Sequence, residues 1–164
     1  MDRMDANTET PRSRILGILS ENRIMAVATL RSDGWPQATM VGYMHDGLTL
    51  YFATARSSQK LANIVADPRI SIAIGRHAPD GRDLRGLSMA ATANEVTDFD
   101  EVRRLNAVIL ERYPEQEIFT PRGVSVAILK VSPLVVSVID PHAGLDQPVL
   151  LRVNPETGAL LSDG

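Results

Sequence analysis
The chain has 164 residues, a formal net charge of −3, 44% hydrophobic residues and no cysteine. That length predicts one domain with enough apolar content for a real core. The missing cysteines exclude disulfides, thiolate metal sites and cysteine nucleophiles, and the mild negative charge gives no drive toward nucleic acid or anionic membrane.

The start, MDRMDANTETPRSR, is polar and carries acids, so it reads as neither a signal nor a transit peptide. No run approaches the roughly 18 apolar residues of a membrane span. The expectation is a cytoplasmic protein with a flexible arm over 1–10 and one domain over 11–164. Thr10-Pro11 is an N-cap followed by proline at the first helical position, and Ile15, Leu16, Ile18 and Leu19 give that helix an apolar face up to Asn22.

From Arg23 the period becomes extended. Residues 24–30, IMAVATL, form a continuous apolar run of the kind expected for a strand buried on both faces. Ser32-Asp33-Gly34 signals a turn, residues 36–44 a second strand, His45-Asp46-Gly47 a second turn and residues 48–54 a third strand. Three strands joined by two Asp-Gly turns predict an antiparallel meander. Residues 55–67 turn helical, with Ser57 or Ser58 as cap and Leu61, Ile64 and Val65 as the apolar stripe; Asp67-Pro68 ends it. A strand at 69–75, a polar loop and a long strand at 87–96 follow. Asp98 opens a third helix with Glu101 three residues on, and Phe99, Val102, Leu105, Ile109 and Tyr113 face one way. Two strands, 124–131 and 134–139, flank a Ser132-Pro133 break, and 149–153 is a last candidate strand. Many antiparallel strands with few helices predict a barrel or sandwich.

Three segments carry a resemblance. They are ILSENRIMAVATLRSDGWPQATMV, then LYFATARSSQKLANIVADPRISIAI, then LSMAATANEVTD with its helix. In order and spacing they resemble the pyridoxamine 5′-phosphate oxidase-like, FMN-binding split-barrel superfamily over roughly residues 14–140. The resemblance implies a mainly β (α+β) fold, a six-stranded antiparallel split β-barrel with flanking helices. It also implies a homodimer with a flavin at the interface.

In that family the strand-to-helix turn holds the flavin phosphate. Here the turn is Thr54, Ala55, Arg56, Ser57, Ser58, Gln59 and Lys60. Independently of the family, a helix N-terminus offers unpaired N–H groups and a positive dipole end to an anion. Ser57 and Ser58 add hydroxyls, and Arg56 and Lys60 add charge. On the residues alone, the segment equally fits a capped surface helix with a solvated lysine. The strand Gln37, Ala38, Thr39, Met40, Val41 resembles the family segment whose backbone runs beside the isoalloxazine ring. Small Ala38 and Thr39 permit close approach.

The sequence also departs from the family. True pyridoxamine phosphate oxidases carry an Arg and a Lys on this second strand, whereas Gln37, Ala38, Gly42 and Tyr43 supply no cation. Their C-terminal Arg and His motif is absent from PHAGLDQPVLLRVNPETGALLSDG. The loop Asp140-Pro141-His142-Ala143-Gly144 keeps only the Asp and Gly of another family motif. These departures argue against pyridoxamine phosphate oxidation.

His45, His77 and His142 lie far apart, in predicted loops, without metal-ligand spacing. His142 is the candidate if the cofactor is heme. Trp35 reads as a rim tryptophan at a dimer interface. The leading expectation is an FMN-dependent oxidoreductase acting on a small molecule, with no general acid or base in view. The alternatives are use of the deazaflavin F420, or a flavin- or heme-binding protein without turnover.

Overall fold
The computed structural model describes residues 10–76, 84–112, 126–140 and 145–161, the side chains of 145–147 excepted. The expected arm, apart from Thr10, falls outside them, as do His77, Tyr113 and His142.

Thr10 caps α1 (Pro11–Glu21): its hydroxyl accepts from the Ser13 amide at 3.1 Å, and Pro11 fills the first turn. The chain continues as β1 (Ile24–Leu30), β2 (Pro36–Gly42), β3 (Met44–Asp46), β4 (Thr49–Ala55), α2 (Gln59–Ala66), β5 (Arg69–Arg76) and β6 (Arg85–Glu95). Then come α3 (Phe99–Arg112), β7 (Val126–Asp140), β8 (Leu145–Val153) and β9 (Leu160–Leu161). Both expected Asp-Gly turns form. Gly34 and Gly47 hold φ of 83° and 58°, a left-handed conformation glycine adopts without steric cost. Asp98 accepts from the amides of Asp100 and Glu101, so α3 starts where its cap predicts. Among the described residues no helix is long and apolar enough to cross a membrane.

All ladders are antiparallel, in the order β2-β1-β5-β6-β7-β4-β3, with β8 added on β7 and β9 on β8. β2 and β3 are one extended run interrupted only at Tyr43. Its first half pairs with β1 and its second half with β4. Counted as one, they make six barrel strands. No ladder joins β2 to the second half of β4 among the described strands, so the barrel stays split there.

Alternation sets the inside. Met25, Val27, Leu50, Phe52, Ile72 and Leu129 are at most 1% exposed and pack with Ile15, Ile18 and Leu19 of α1 and Leu61 and Ile64 of α2. A second cluster, with Tyr51, Leu105 and Ile109, lies under α3.

Three expectations need correction. β1 is not buried on both faces: Met25, Val27 and Thr29 point inward, while Ile24 is 58% and Leu30 40% exposed. Its continuous apolar run reflects an outer face made of apolar side chains. The Ser132-Pro133 break does not end a strand. β7 runs through it, and the register with β6 shifts by one at Ala90/Ala91, leaving Leu134 outside the pairing so that proline need not donate. On the helices, Val65 and Phe99 are exposed rather than buried; the Arg103 guanidinium stacks 4.8 Å from the Phe99 ring centroid.

The outer face of β2, β1, β5 and β6 is paved with small side chains. Ala38, Ala28, Ser71 and Ala90 lie side by side across it, and Met40, Ala26, Ala73 and Ser88 form the next row. Gly75 faces Gly86 on the same sheet. A Cβ on Gly86 would fall 2.6 Å from the Ile74 carbonyl oxygen, and a backbone atom cannot rotate away. Gly86→Ala is therefore expected to lower stability by about 1–3 kcal/mol. The check is a fall in urea midpoint at unchanged m.

Candidate functional site
The split is bordered by the free edge of β2 and by the second half of β4, which runs directly into α2. Among the described strands β2 pairs only with β1, so alternate N–H and C=O groups of Gln37 to Val41 face the gap without a ladder partner there. The two segments singled out in the sequence are thus neighbours here.

At the start of α2, Ser58 is the N-cap. Its hydroxyl accepts from the Leu61 amide at 3.2 Å and shares a 3.0 Å hydrogen bond with the Thr54 hydroxyl. The amides of Gln59 and Lys60 have no partner among the described residues. These are the orphan first-turn donors that bind anions at helix N-termini. The Lys60 ammonium lies 5.8 Å from the Phe52 ring centroid and meets no carboxylate among the described residues. Partial burial pushes its pKa below that of an ordinary lysine. It is a cation without a carboxylate partner among the described residues, carried on the helix turn that holds the two free amides. Arg56, the other expected cation, is committed to Glu95 of β6. Ser57 is exposed in the turn.

On β2, Gln37, Thr39 and Val41 share the inner face with Thr29, Val27 and Met25, while Ala38 and Met40 point outward. The hydroxyl of Thr39 is buried with no hydrogen-bond partner. Among the described residues it shares that condition with Asp140 Oδ1, although buried polar atoms are almost always satisfied. Asn63, absent from the sequence reading, links the two walls. It is 2% exposed, and its Nδ2 donates to Thr29 Oγ1 at 2.9 Å and to Gln37 Oε1 at 3.1 Å. Its Oδ1 accepts from Gln59 Nε2 at 2.8 Å. The available signal was an asparagine between Leu61 and Ile64 on a short helix whose other inward residues are apolar.

Several polar and charged groups elsewhere are tied into the scaffold. Tyr51 on β4 bonds Glu101 and Arg104 of α3, and burial raises its pKa. Lys130 donates to Glu101 at 2.8 Å. The buried Asp140 carboxylate accepts from Arg85 Nε at 3.1 Å, and Arg85 also binds Glu21 of α1. His45 donates from Nδ1 to the Gly47 carbonyl and accepts at Nε2 from the Ser20 hydroxyl, so neither ring nitrogen is available. Burial lowers its pKa and favours that neutral form. Among the described residues no group of three metal-ligating side chains exists. Trp35 is 72% exposed at the β1–β2 turn.

The donor set suits a phosphate monoester carrying a planar ring with polar edges. Lys60 and the amides of Gln59 and Lys60 would hold the phosphate. The free edge of β2 would meet the ring.

A sequence model of the family described as pyridoxamine 5′-phosphate oxidase matches residues 12–140. General stress protein 26 of Bacillus subtilis is 26% identical over 123 residues, covering 66% of this chain and 87% of that one. The crystal structure of general stress protein 26 from Bacillus anthracis has a TM-score of 0.64 at 22% identity, over 87% of this chain and 98% of that one. A heme binding protein from Mycobacterium smegmatis has a TM-score of 0.68 at 17% identity, over 90% of this chain and 60% of that one. At these identities the structural matches establish a shared fold.

Proposed function
The chain belongs to the pyridoxamine 5′-phosphate oxidase family, and from that membership we propose that it binds FMN at the barrel split and works as a flavin-dependent oxidoreductase on a small molecule. The observation that carries this reading is the first turn of α2, where the Gln59 and Lys60 amides are free and Lys60 has no carboxylate partner among the described residues.

When bound, the flavin supplies the electron chemistry. The chain binds and orients it. Lys60 and the α2 amides neutralise the phosphate, the edge of β2 offers N–H and C=O groups to the ring, and the small Ala38 leaves room for close approach. Among the described residues Lys60 is assigned to the phosphate, and no residue is assigned a catalytic role.

The outer face fits a second copy of the chain, giving a homodimer with the cofactor at its interface. Two apolar grooves of about 350 and 340 Å³ lie on this face, rimmed by Leu30, Pro36 and Leu134 and by Ile24, Met40 and Leu84. A contiguous apolar patch of this kind marks an interaction surface.

A second reading, a heme- or flavin-binding protein without turnover, draws on the likeness to the mycobacterial heme binding protein. His45 is committed on both nitrogens, so an axial histidine would have to come from His77 or His142. The deazaflavin F420 is a third ligand, disfavoured because Arg56 is already paired and its longer anionic tail needs more cations.

The test is an absorption spectrum of the purified protein, then titration with FMN, F420 and hemin. Tight FMN uptake with reduction by NAD(P)H supports the proposal. A Soret band would make heme the cofactor. Binding of none of the three would overturn the cofactor reading.

A further inference from the structure
We propose that Asn63 is a positioning residue: its carboxamide fixes the Gln37 amide with oxygen toward α2 and NH2 toward the split, as a standing hydrogen-bond donor for the ligand ring. The proposal rests on the flavin reading above. Four observations carry it.

First, Asn63 is buried on a face of α2 where its neighbours are Leu61 and Ile64. A leucine would fill that volume without the desolvation cost of a carboxamide. The asparagine's desolvation cost must be offset by its hydrogen bonds, one of them to the 4% exposed Thr29.

Second, every polar atom of Asn63 is committed, and to three different elements. It bonds Thr29 on β1, Gln37 on β2 and Gln59 in the first turn of α2. Asn63 thus joins both walls of the split to the residue preceding Lys60. Turning the Gln37 amide over would place two NH2 groups against each other unless Asn63 and Gln59 rotated as well.

Third, Gln37 uses only its oxygen. Its NH2 group has no partner among the described residues and is not among the buried unsatisfied atoms, so it is free to meet a ligand.

Fourth, the expected ligand needs such a donor. A flavin carries carbonyl and imine acceptors along its pyrimidine edge. Reduction adds electron density to that edge, so a fixed N–H there favours the reduced form. A free glutamine would present oxygen as readily as nitrogen and lose that bias.

The experiment titrates wild type, Asn63→Leu, Gln37→Ala and the double variant with oxidised FMN and with dithionite-reduced FMN, with urea midpoints measured in parallel. Each single substitution is expected to weaken reduced FMN about 3- to 30-fold, the scale of one hydrogen bond, and oxidised FMN less. The double variant should bind no worse than Gln37→Ala alone, because Asn63 acts through Gln37. Additive losses, or equal losses for the two redox states, would make Asn63 merely structural and overturn the proposal.

If Asn63→Leu does not fold, Gln37→Glu replaces it. That variant keeps an acceptor for Asn63 but removes the NH2, and wild-type binding of both redox states by it would overturn the proposal. If wild type binds no flavin, the cofactor reading itself fails. The Asn63 tie is then read in the ligand-free protein by proton exchange. Protection of the Asn63 carboxamide that drops in Gln37→Ala supports the tie, and an unprotected wild-type carboxamide refutes it.

Discussion

Lys60→Ala is expected to weaken FMN binding by about 1–3 kcal/mol, roughly 5- to 150-fold, the range for a charge-assisted hydrogen bond to phosphate. The loss should be large because, among the described residues beside the turn, Arg56 is held by Glu95 and β2 supplies no charge. Lys60→Arg should recover part of the affinity but not all, since a planar guanidinium does not reproduce a compact ammonium point charge.

The pH profile gives a separate check with a definite sign. The phosphate monoester takes its second charge near pH ~6, so affinity rises through that range. Burial places the Lys60 pKa below the usual 10.5, so its proton, and with it the affinity, is lost at lower pH than for an exposed lysine. Lys60→Ala should abolish the alkaline limb and flatten the salt dependence, leaving the phosphate limb intact. An unchanged dissociation constant in direct titration would sink the phosphate assignment.

Phe52→Ala should cost about 3–5 kcal/mol of stability, the usual cost of truncating a buried aromatic residue. Phe52 is fully buried on the inner face of β4, opposite Leu129 in the β4–β7 ladder. Loss on this scale is a large share of the ~5–15 kcal/mol available to a domain. Its ring also lies below Lys60, so flavin affinity should fall along with stability. Phe52→Leu refills most of the volume and should cost less than half as much. Urea titrations of the three proteins at one pH would rank them. A Phe52→Ala midpoint within error of wild type would contradict the packing described.

Much of this was legible from local chemistry. Thr10-Pro11, the two Asp-Gly turns, Ser58 and Asp98 each announce a cap or turn through its own hydrogen bonds, and each sits where the sequence places it. The nearness of the Thr54-to-Lys60 turn to Gln37 came only through the family resemblance, because strand pairing is a long-range fact. Other features were illegible for physical reasons. The run in β1 reads the same whether its second face meets protein or solvent, so Ile24 and Leu30 were misplaced. Pro133 looks like a strand end unless the partner strand is known to shift its register. Arg56 and Lys60 are equal cations in sequence, and only Glu95, 39 residues further on, separates their roles. Asn63 joins three elements, which no local pattern reports.

β7 also constrains how the chain can be made. Among the described strands it alone joins β6 to β4, and residue 50, already paired with His45 in the β3–β4 hairpin, must wait for residue 131 on its other side. On a ribosome, a nascent chain that has emerged through β6 holds two sheet pieces, β2-β1-β5-β6 and the β3–β4 hairpin, with the facing edges of β6 and β4 both bare. Unpaired edges of this kind template association between neighbouring chains. Translation arrest or truncation ahead of residue 126 therefore leaves a product that chaperones must shield, whereas loss of the residues after β7 leaves every barrel ladder intact.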